Sequence, residues 1–339
     1  MSKSVSNLTA VLPSPGSALI IQERAIPSLG SGEMLIRNRA LAINPIDWKR
    51  QVYGLAVSSY PTVLGGDIAG VVVGVGPGVT SFKPGDRVLA SAPGILTGNS
   101  DHGAFQTYTT VMAAVATKIP DNITFSEAAT LPVVVSTAAI VLFDVLGLPV
   151  PDPESTAANT NPTKTGILVW GGASSAGSAV IQFARLAGLT VFATASPQHH
   201  DKIRALGATA VVDYRSPTVV EDLLAAAREA GTPITLALDA ISTEETFPLV
   251  ARVLAESEDA SAIPEGVSVQ WVAGQRIWKE RLDLGSLVFN KLLGKWLETG
   301  EVVPAKVQVV EGGLSGLQAG MDEVKKGVSG VKLVVELDE

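Results

Sequence analysis

Gly166 to Ser196 reads GILVWGGASSAGSAVIQFARLAGLTVFATAS, and the order of residue types in it decides the fold. Ile167 to Trp170 is a short apolar run of the kind that fills a buried parallel strand. A turn of small residues follows, from Gly171 to Gly177. Val180, Ile181, Ala184 and Ala187 then recur at helical spacing until Gly188 stops them. A second apolar run, Leu189 to Ala195, ends on Ser196. Strand, glycine turn, helix, strand is the first βαβ unit of a dinucleotide-binding sheet.

The turn has its own chemistry. Gly172 is expected to carry the positive φ that lets the chain reverse off the strand. Gly177, lacking a side chain, lets the helix lie close on the sheet. The amides at the helix start, around Ser175 and Ala176, and the helix dipole then favour a pyrophosphate. Ser174 stands where a strict fingerprint has a third glycine, and the Ser174 and Ser175 hydroxyls can donate to phosphate oxygens. A hydrolase elbow is excluded, because Ala176 stands where its last glycine belongs.

Outward from this unit, strands and helices alternate. Asp201–Leu206, Thr218–Ala230 and Phe247–Leu254 read as helices; Ala210–Asp213, Thr235–Asp239 and Val267–Ala273 read as strands. Such alternation gives a doubly wound parallel sheet. Upstream, Ala18–Gln22, Glu33–Ala42, Ala69–Gly76, Arg87–Ala90 and Ala104–Val111 read as strands broken by turns such as Pro84-Gly85-Asp86, a β-barrel-like domain. Thr124 and Glu127 form a capping-box pattern ahead of an apolar helix at Val133–Leu146. Leu287–Thr299 reads as one long amphipathic helix, followed by a strand (Val307–Val310), a helix (Leu314–Lys326) and a last strand (Lys332–Glu336). Pro149–Thr165 and Glu256–Gly266 read as polar insertions.

Composition narrows the function. The 339 residues suffice for two domains, and the net charge of -8 argues against a general nucleic-acid binder. With no cysteine there is no disulfide, thiolate nucleophile or cysteine-bound zinc. Neither a secretory signal nor an apolar run long enough to span a membrane is apparent, so a cytoplasmic location is expected.

Asn44-Pro45-Ile46-Asp47-Trp48-Lys49, Gly65-Gly66-Asp67-Ile68-Ala69-Gly70, Phe82-Lys83-Pro84-Gly85-Asp86-Arg87-Val88 and Gly330-Val331-Lys332-Leu333-Val334 together resemble the medium-chain dehydrogenase/reductase superfamily across almost the whole chain. The resemblance implies a Rossmann sheet inserted into a GroES-like β-barrel domain, with residues 1–135 and 296–339 catalytic and 136–295 binding NADP. Within the superfamily, Asn-Pro-x-Asp-x-Lys, Ser196 to Asp201 and Asp213-Tyr214-Arg215 look most like the zinc-independent fungal enoyl reductases that act in trans on polyketide synthases. Zinc members carry Cys and a Gly-His-Glu element; here the element reads Gly66-Asp67-Ile68, and His102, His199 and His200 lack ligand spacing. No metal site is expected. Without a Lewis acid, an activated C=C bond is a better acceptor than an isolated carbonyl.

Ser196 ends the second strand where an NAD-preferring fold places an acid on the ribose. A serine tolerates a 2′-phosphate, so NADP(H) is the expected cofactor. The resemblance puts Ser196, Lys202 and Tyr214 around that phosphate, Asn44, Thr137 and Lys332 near the cofactor, and Lys49 on the active-site cleft. Lys49 and Lys202 fit equally a solvated surface, Lys332 a strand-edge charge, and Thr137 a helix hydroxyl bonded to its own backbone. Ile241 and Ala273, at strand ends, are expected to offer backbone to the nicotinamide half. Three proton donors stay open: Tyr53, Lys49 and water.

The leading expectation is therefore NADPH-dependent reduction of an enoyl group, on a small or acyl-carrier-bound substrate, with possible docking to a polyketide synthase. A quinone reductase of the same fold and a non-catalytic NADP-binding relative are the alternatives. For docking, Arg276, Lys279 and Arg281 form the densest basic cluster, which also fits a plain solvated helix face.

Overall fold

The computed structural model describes residues 6–151, 164–257 and 269–338. Both polar insertions read from the sequence fall largely outside these residues. In chain order the elements are β1 (Asn7–Leu12), β2 (Ile20–Arg24), β3 (Glu33–Ala42), α1 (Pro45–Tyr53), β4 (Thr62–Val63), β5 (Asp67–Val75), β6 (Arg87–Ser91), α2 (Gly94–Thr97), β7 (Tyr108–Met112), β8 (Ala116–Lys118), α3 (Phe125–Ala129) and α4 (Pro132–Ala139). They continue with β9 (Gly166–Trp170), α5 (Ser175–Leu186), β10 (Thr190–Thr194), α6 (His200–Ala205), β11 (Ala210–Val212), α7 (Val219–Glu229), β12 (Ile234–Asp239) and α8 (Thr246–Ser257). The last are α9 (Leu282–Ser286), α10 (Gly294–Thr299), β13 (Val307–Val309), α11 (Leu317–Lys326) and β14 (Lys332–Glu336). No helix among the described residues is long and apolar enough to cross a membrane.

The chain divides into two units. The first comprises Met1–Ser136, Gln275–Gly300 and Pro304–Glu339; the second comprises Thr137–Gly274 and Glu301–Val303. Sequence reading placed the return to the first domain at residue 296, whereas the structure groups the chain with it from Gln275. The cause is local: Thr117 Oγ1 donates to the Phe289 carbonyl at 2.6 Å and Asn290 Nδ2 to the Ala116 carbonyl at 2.7 Å. These bonds tie Leu287–Gly300 to β8.

β3 is the spine of the first unit. Its alternating burial follows from Met34, Ile36 and Leu41 facing the core, and it pairs antiparallel with β5, β7 and β14. A separate sheet, β2-β1-β4, flanks it. β1 was not among the strands read from the sequence; it is held by a buried amide pair, Asn7 Nδ2 donating to Gln106 Oε1 at 2.9 Å. The same Gln106 donates from Nε2 to Gly103 O at 2.7 Å, which keeps 104–107 out of the strand expected from Ala104. The Thr124/Glu127 capping box opens α3 as expected, with Thr124 N donating to Glu127 Oε2 at 2.9 Å.

The long helix read over Leu287–Thr299 is present but not uniform. α9 leads directly into a π-helical stretch, Leu287–Leu293, and then into α10. A similar change follows α4, where Ile140–Val145 is π-helical.

The second unit is built on a four-stranded parallel sheet, β11-β10-β9-β12. β9 is buried throughout, as its apolar run predicts for a central parallel strand. α5 lays Val180, Ile181, Phe183 and Ala184 into the core. Because every pairing is parallel, the carboxyl ends of all four strands lie along one edge. The order reverses at β9, with β10 on one side and β12 on the other, which is where a doubly wound sheet binds its ligand. The strand expected at Val267–Ala273 is not found in its described part. Residues 269–273 are irregular and Trp271 is 89 % exposed. β-branched and aromatic residues favour a strand only when a partner and a buried face accept them.

Candidate active site

The edge of the second unit collects most of the residues singled out above. Gly171 to Ser174 follow β9, Ala195 and Ser196 follow β10, Tyr214 and Arg215 follow β11, and Ala240 and Ile241 follow β12. The glycines divide their labour differently from the sequence reading. Gly171, at φ 80, takes the left-handed turn, not Gly172. Gly172 is needed for space, since a Cβ there would come 3.0 Å from Ile181 Cδ1 and 3.2 Å from Ala193 Cβ. Gly177 behaves as expected: a Cβ would sit 3.0 Å from Gly172 Cα and run into the Gly171 carbonyl.

Thr194 fixes the turn, accepting Gly171 N–H at 3.0 Å on Oγ1 and Gly172 N–H at 2.8 Å on its carbonyl. Ser174 is the N-cap of α5, and its Oγ accepts the Gly177 N–H at 3.0 Å. That bond uses a lone pair and leaves the hydroxyl proton to donate. Ser175 and Ala176 lie in the first helical turn, where amides have no carbonyl four residues back inside the helix. The cradle fits a pyrophosphate.

At the end of β10, Ser196 is buried and carries no negative charge. Arg215 Nη2 donates to Ser196 Oγ at 3.2 Å and to the Tyr214 hydroxyl at 3.1 Å, with the guanidinium 5.0 Å from the centre of the Tyr214 ring. Hydrogen bonds to Ser196 and Arg215 hold the Tyr214 phenol below its ordinary value. Burial lowers His199, and the neighbouring Lys202 charge adds to this. The cluster gathers two hydroxyls and a guanidinium at the carboxyl ends of β10 and β11. The sequence motif Asp213-Tyr214-Arg215 assigns Arg215 no role, although it places a cation directly after the aromatic residue that follows a strand.

Ile241 is 48 % exposed and its side chain lies against Gly171. Its N–H is spent on Asp239 Oδ1 at 3.0 Å, so only its carbonyl stays open to a ligand. Thr137 lies beside Gly274, where a Cβ would come 3.1 Å from Thr137 Oγ1; Ala273 is the residue before.

The first unit holds a second cluster, brought together by strand register. Asp67 opens β5 opposite Ala42, two residues before Asn44, and Ile43 N donates to the carbonyl of Leu333, the neighbour of Lys332. Lys332 Nζ sits 3.1 Å from Asp67 Oδ2 and donates to Asn44 Oδ1 at 2.5 Å. Asn44 Nδ2 donates to Asp67 Oδ2 at 2.7 Å, and Val133 N–H donates to Asp67 Oδ1 at 2.6 Å. Asp67 thus also faces the amide end of α4, which favours a carboxylate. Asn44, Asp67 and Lys332 are all buried. Lys332 is therefore an internal counter-charge and not a strand-edge charge.

One turn on, at the third position of α1, Asp47 Oδ2 accepts the N–H of the N-cap residue Asn44 at 2.8 Å, the N3 half of a capping box. Burial pushes the Asp47 carboxyl up to about 6, opposed by the Asn44 hydrogen bond and the Arg50 charge. Lys49 and Tyr53, on the same helix, point outward: Lys49 is exposed and Tyr53 is 71 % exposed.

These donors do not fit a catalytic zinc. The sequence offers no cysteine, and no group of three or more His, Asp or Glu converges among the described residues. His102 Nε2 is 3.1 Å from Glu33 Oε1, and His200 Nε2 is 3.0 Å from the Ala195 carbonyl.

Comparison with known proteins agrees with this architecture. The model of the alcohol dehydrogenase GroES-like domain matches residues 30–121. The dehydrogenase azaJ of Aspergillus niger is 36 % identical, covering 98 % of this chain and 99 % of its own. The trans-enoyl reductase tndF of Aspergillus flavipes is 36 % identical, over 97 % of this chain and 98 % of its own. An alcohol dehydrogenase superfamily protein from Novosphingobium aromaticivorans has the same fold, with a TM-score of 0.77 over 98 % of this chain and all of its own, at 23 % identity. With a nucleotide edge in one unit and a GroES-like domain in the other, the chain belongs to the medium-chain dehydrogenase/reductase family of oxidoreductases, whose Rossmann-like fold implies a nicotinamide cofactor.

Proposed function

We propose that the protein is an NADPH-dependent, zinc-independent enoyl reductase that acts in trans on an unsaturated acyl thioester carried by a fungal polyketide synthase. The observation that carries the cofactor choice is the Arg215–Ser196–Tyr214 cluster, which offers one guanidinium and two hydroxyls where an NAD site offers a carboxylate. The substrate class rests on similarity along nearly the whole chain to a trans-enoyl reductase.

Bound dihydronicotinamide supplies a hydride to the β-carbon of the acceptor. The residues of the chain orient and stabilise. Gly172, Ser174, Ser175, Ala176 and Gly177 hold the pyrophosphate, while Ser196, Lys202, Tyr214 and Arg215 hold the 2′-phosphate. Thr137, Ile241 and Ala273 would line the nicotinamide half, while Lys332 and Asp67 hold the Asn44 amide in place within the first unit. Lys49 and Tyr53, both exposed on α1, are the candidates to stabilise the oxygen of a bound thioester. The proton for the α-carbon comes from Lys49 Nζ, the Tyr53 hydroxyl or solvent in exchange with them.

The test is cofactor consumption with a crotonyl thioester of N-acetylcysteamine and, separately, with simple quinones. Turnover of the thioester with NADPH supports the proposal. Turnover of quinones alone would replace it with a quinone reductase, and binding without turnover of either would leave a non-catalytic NADP-binding protein.

A further inference from the structure

Two of the three cations in the basic cluster picked out for docking, Arg276 and Arg281, are paired with neighbouring carboxylates. Arg276 Nε is 2.8 Å from Glu280 Oε2 and Arg281 Nε is 3.3 Å from Asp283 Oδ1. A different face of the first unit keeps its positive charge. Trp48 on α1 is half-buried, and two ammonium groups approach its ring: Lys49 Nζ at 5.8 Å and Lys325 Nζ, from α11, at 5.9 Å from the centroid. Tyr53 stands edge-on to the same indole at 5.9 Å, is 71 % exposed, and is followed by Leu55, 50 % exposed.

Lys49, Lys325 and Lys326 make no ion pair among the described residues. Among the described residues, the carboxylates of the two helices form no ion pair with these lysines and accept hydrogen bonds from amides instead. Asp322 accepts from Gln318 Nε2 at 3.1 Å and Glu323 from Gln308 Nε2 at 2.8 Å, while Asp47 is buried against Asn44. Lys325 over the Trp48 ring, with Lys326 next to it in sequence and Leu55 exposed after α1, gives this face a basic and aromatic surface. Interfaces favour that composition.

We propose that this α1/α11 face docks the acidic surface of an acyl carrier domain, which brings the thioester to the enzyme. The inference rests on the trans-acting reading above. Charge complementarity selects the occupant. The chain has a net charge of -8 and repels an acidic partner over most of its surface, so such a partner needs a local basic patch to land on.

The experiment compares wild type with Lys325→Glu and the Lys325→Glu/Lys326→Glu pair. Lys306→Glu, an exposed residue outside this face, controls for net charge. Binding of a fluorescently labelled holo-acyl carrier domain from a fungal polyketide synthase is read by anisotropy at low and moderate salt. Steady-state kinetics follow with the crotonyl group on that carrier and on N-acetylcysteamine. The charge reversals are expected to weaken carrier binding and raise the carrier KM by about tenfold or more, with added salt erasing the difference. Kinetics with the small thioester should stay within about twofold, and Lys306→Glu should match wild type. Equal losses on both substrates, or no change in carrier binding, would overturn the docking face. If wild type fails to reduce the small thioester, the enoyl-reductase reading falls, and the anisotropy result still decides the surface.

Discussion

The Asn44–Asp67–Lys332 cluster and the Ser196–Tyr214–Arg215 cluster are both hydrogen-bonded groups built around a cation, yet they solve opposite problems. The first is sealed: ammonium, carboxylate and amide satisfy one another away from water, and the side chains are fixed before any ligand arrives. The second is open. Arg215 is borrowed by two hydroxyls in a solvent-facing site, and a multiply charged oxyanion would be a far stronger acceptor than either. A buried cluster supplies geometry, whereas an exposed one supplies selectivity.

The sharpest way to break this contrast is to remove one buried charge. Lys332→Met leaves the Asp67 carboxylate desolvated with only an amide and an N–H to hold it. The expected loss is ~3–5 kcal/mol in urea unfolding. Lys332→Met/Asp67→Asn should recover part of it, because the uncompensated charge is then gone. A loss no larger than that of a surface lysine would mean that water reaches the pair.

Asp47 sharpens the same side of the comparison through pH. Its carboxyl is raised from 3.8 unfolded to about 6 folded, so the native state binds the proton more tightly. Its contribution is full below about pH 4 and is lost as pH climbs through about 6, a change of about 3 kcal/mol. Unfolding of Asp47→Asn across that window should lose this slope while the asparagine oxygen still accepts the Asn44 N–H. An unchanged slope would assign the proton uptake elsewhere.

The exposed cluster calls for a smaller and more selective effect. Arg215→Ala should raise the KM for NADPH by ~10-fold or more and leave NADH nearly unchanged, with no change in melting temperature. An equal rise for both cofactors would show that Arg215 shapes the edge without reading the phosphate.

What the sequence disclosed follows the same division. The βαβ unit was legible because its signals are local: an apolar run, small residues in the turn and one helical period. The capping box at Thr124 was legible for that reason too. Arg215 acts on Ser196 from 19 residues away, and Lys332 meets Asn44 across 288. Neither partner choice is encoded near the residue itself; parallel register fixes the first and antiparallel register the second. The role of Gly171 was assigned to Gly172 because adjacent glycines look alike until φ and the neighbouring Ile181 distinguish them. The strand expected at Val267–Ala273 failed because composition does not reveal whether a pairing partner exists.

The π-helical stretch between α9 and α10 bears on how this chain tolerates insertion and deletion. The buried residues there recur every four positions: Leu284, Val288, Leu292 and Trp296, with Phe289, Leu293 and Leu297 alongside. On a regular α-helix each four-residue step overshoots a full turn by about 40°, and the apolar stripe would spiral off the core within three steps. The wider turns absorb the overshoot and keep the stripe straight. Helical winding here is thus a phase correction, and removing one residue between Leu287 and Leu293 would act as a rotation, swinging Trp296 and Leu297 by about a quarter turn toward water.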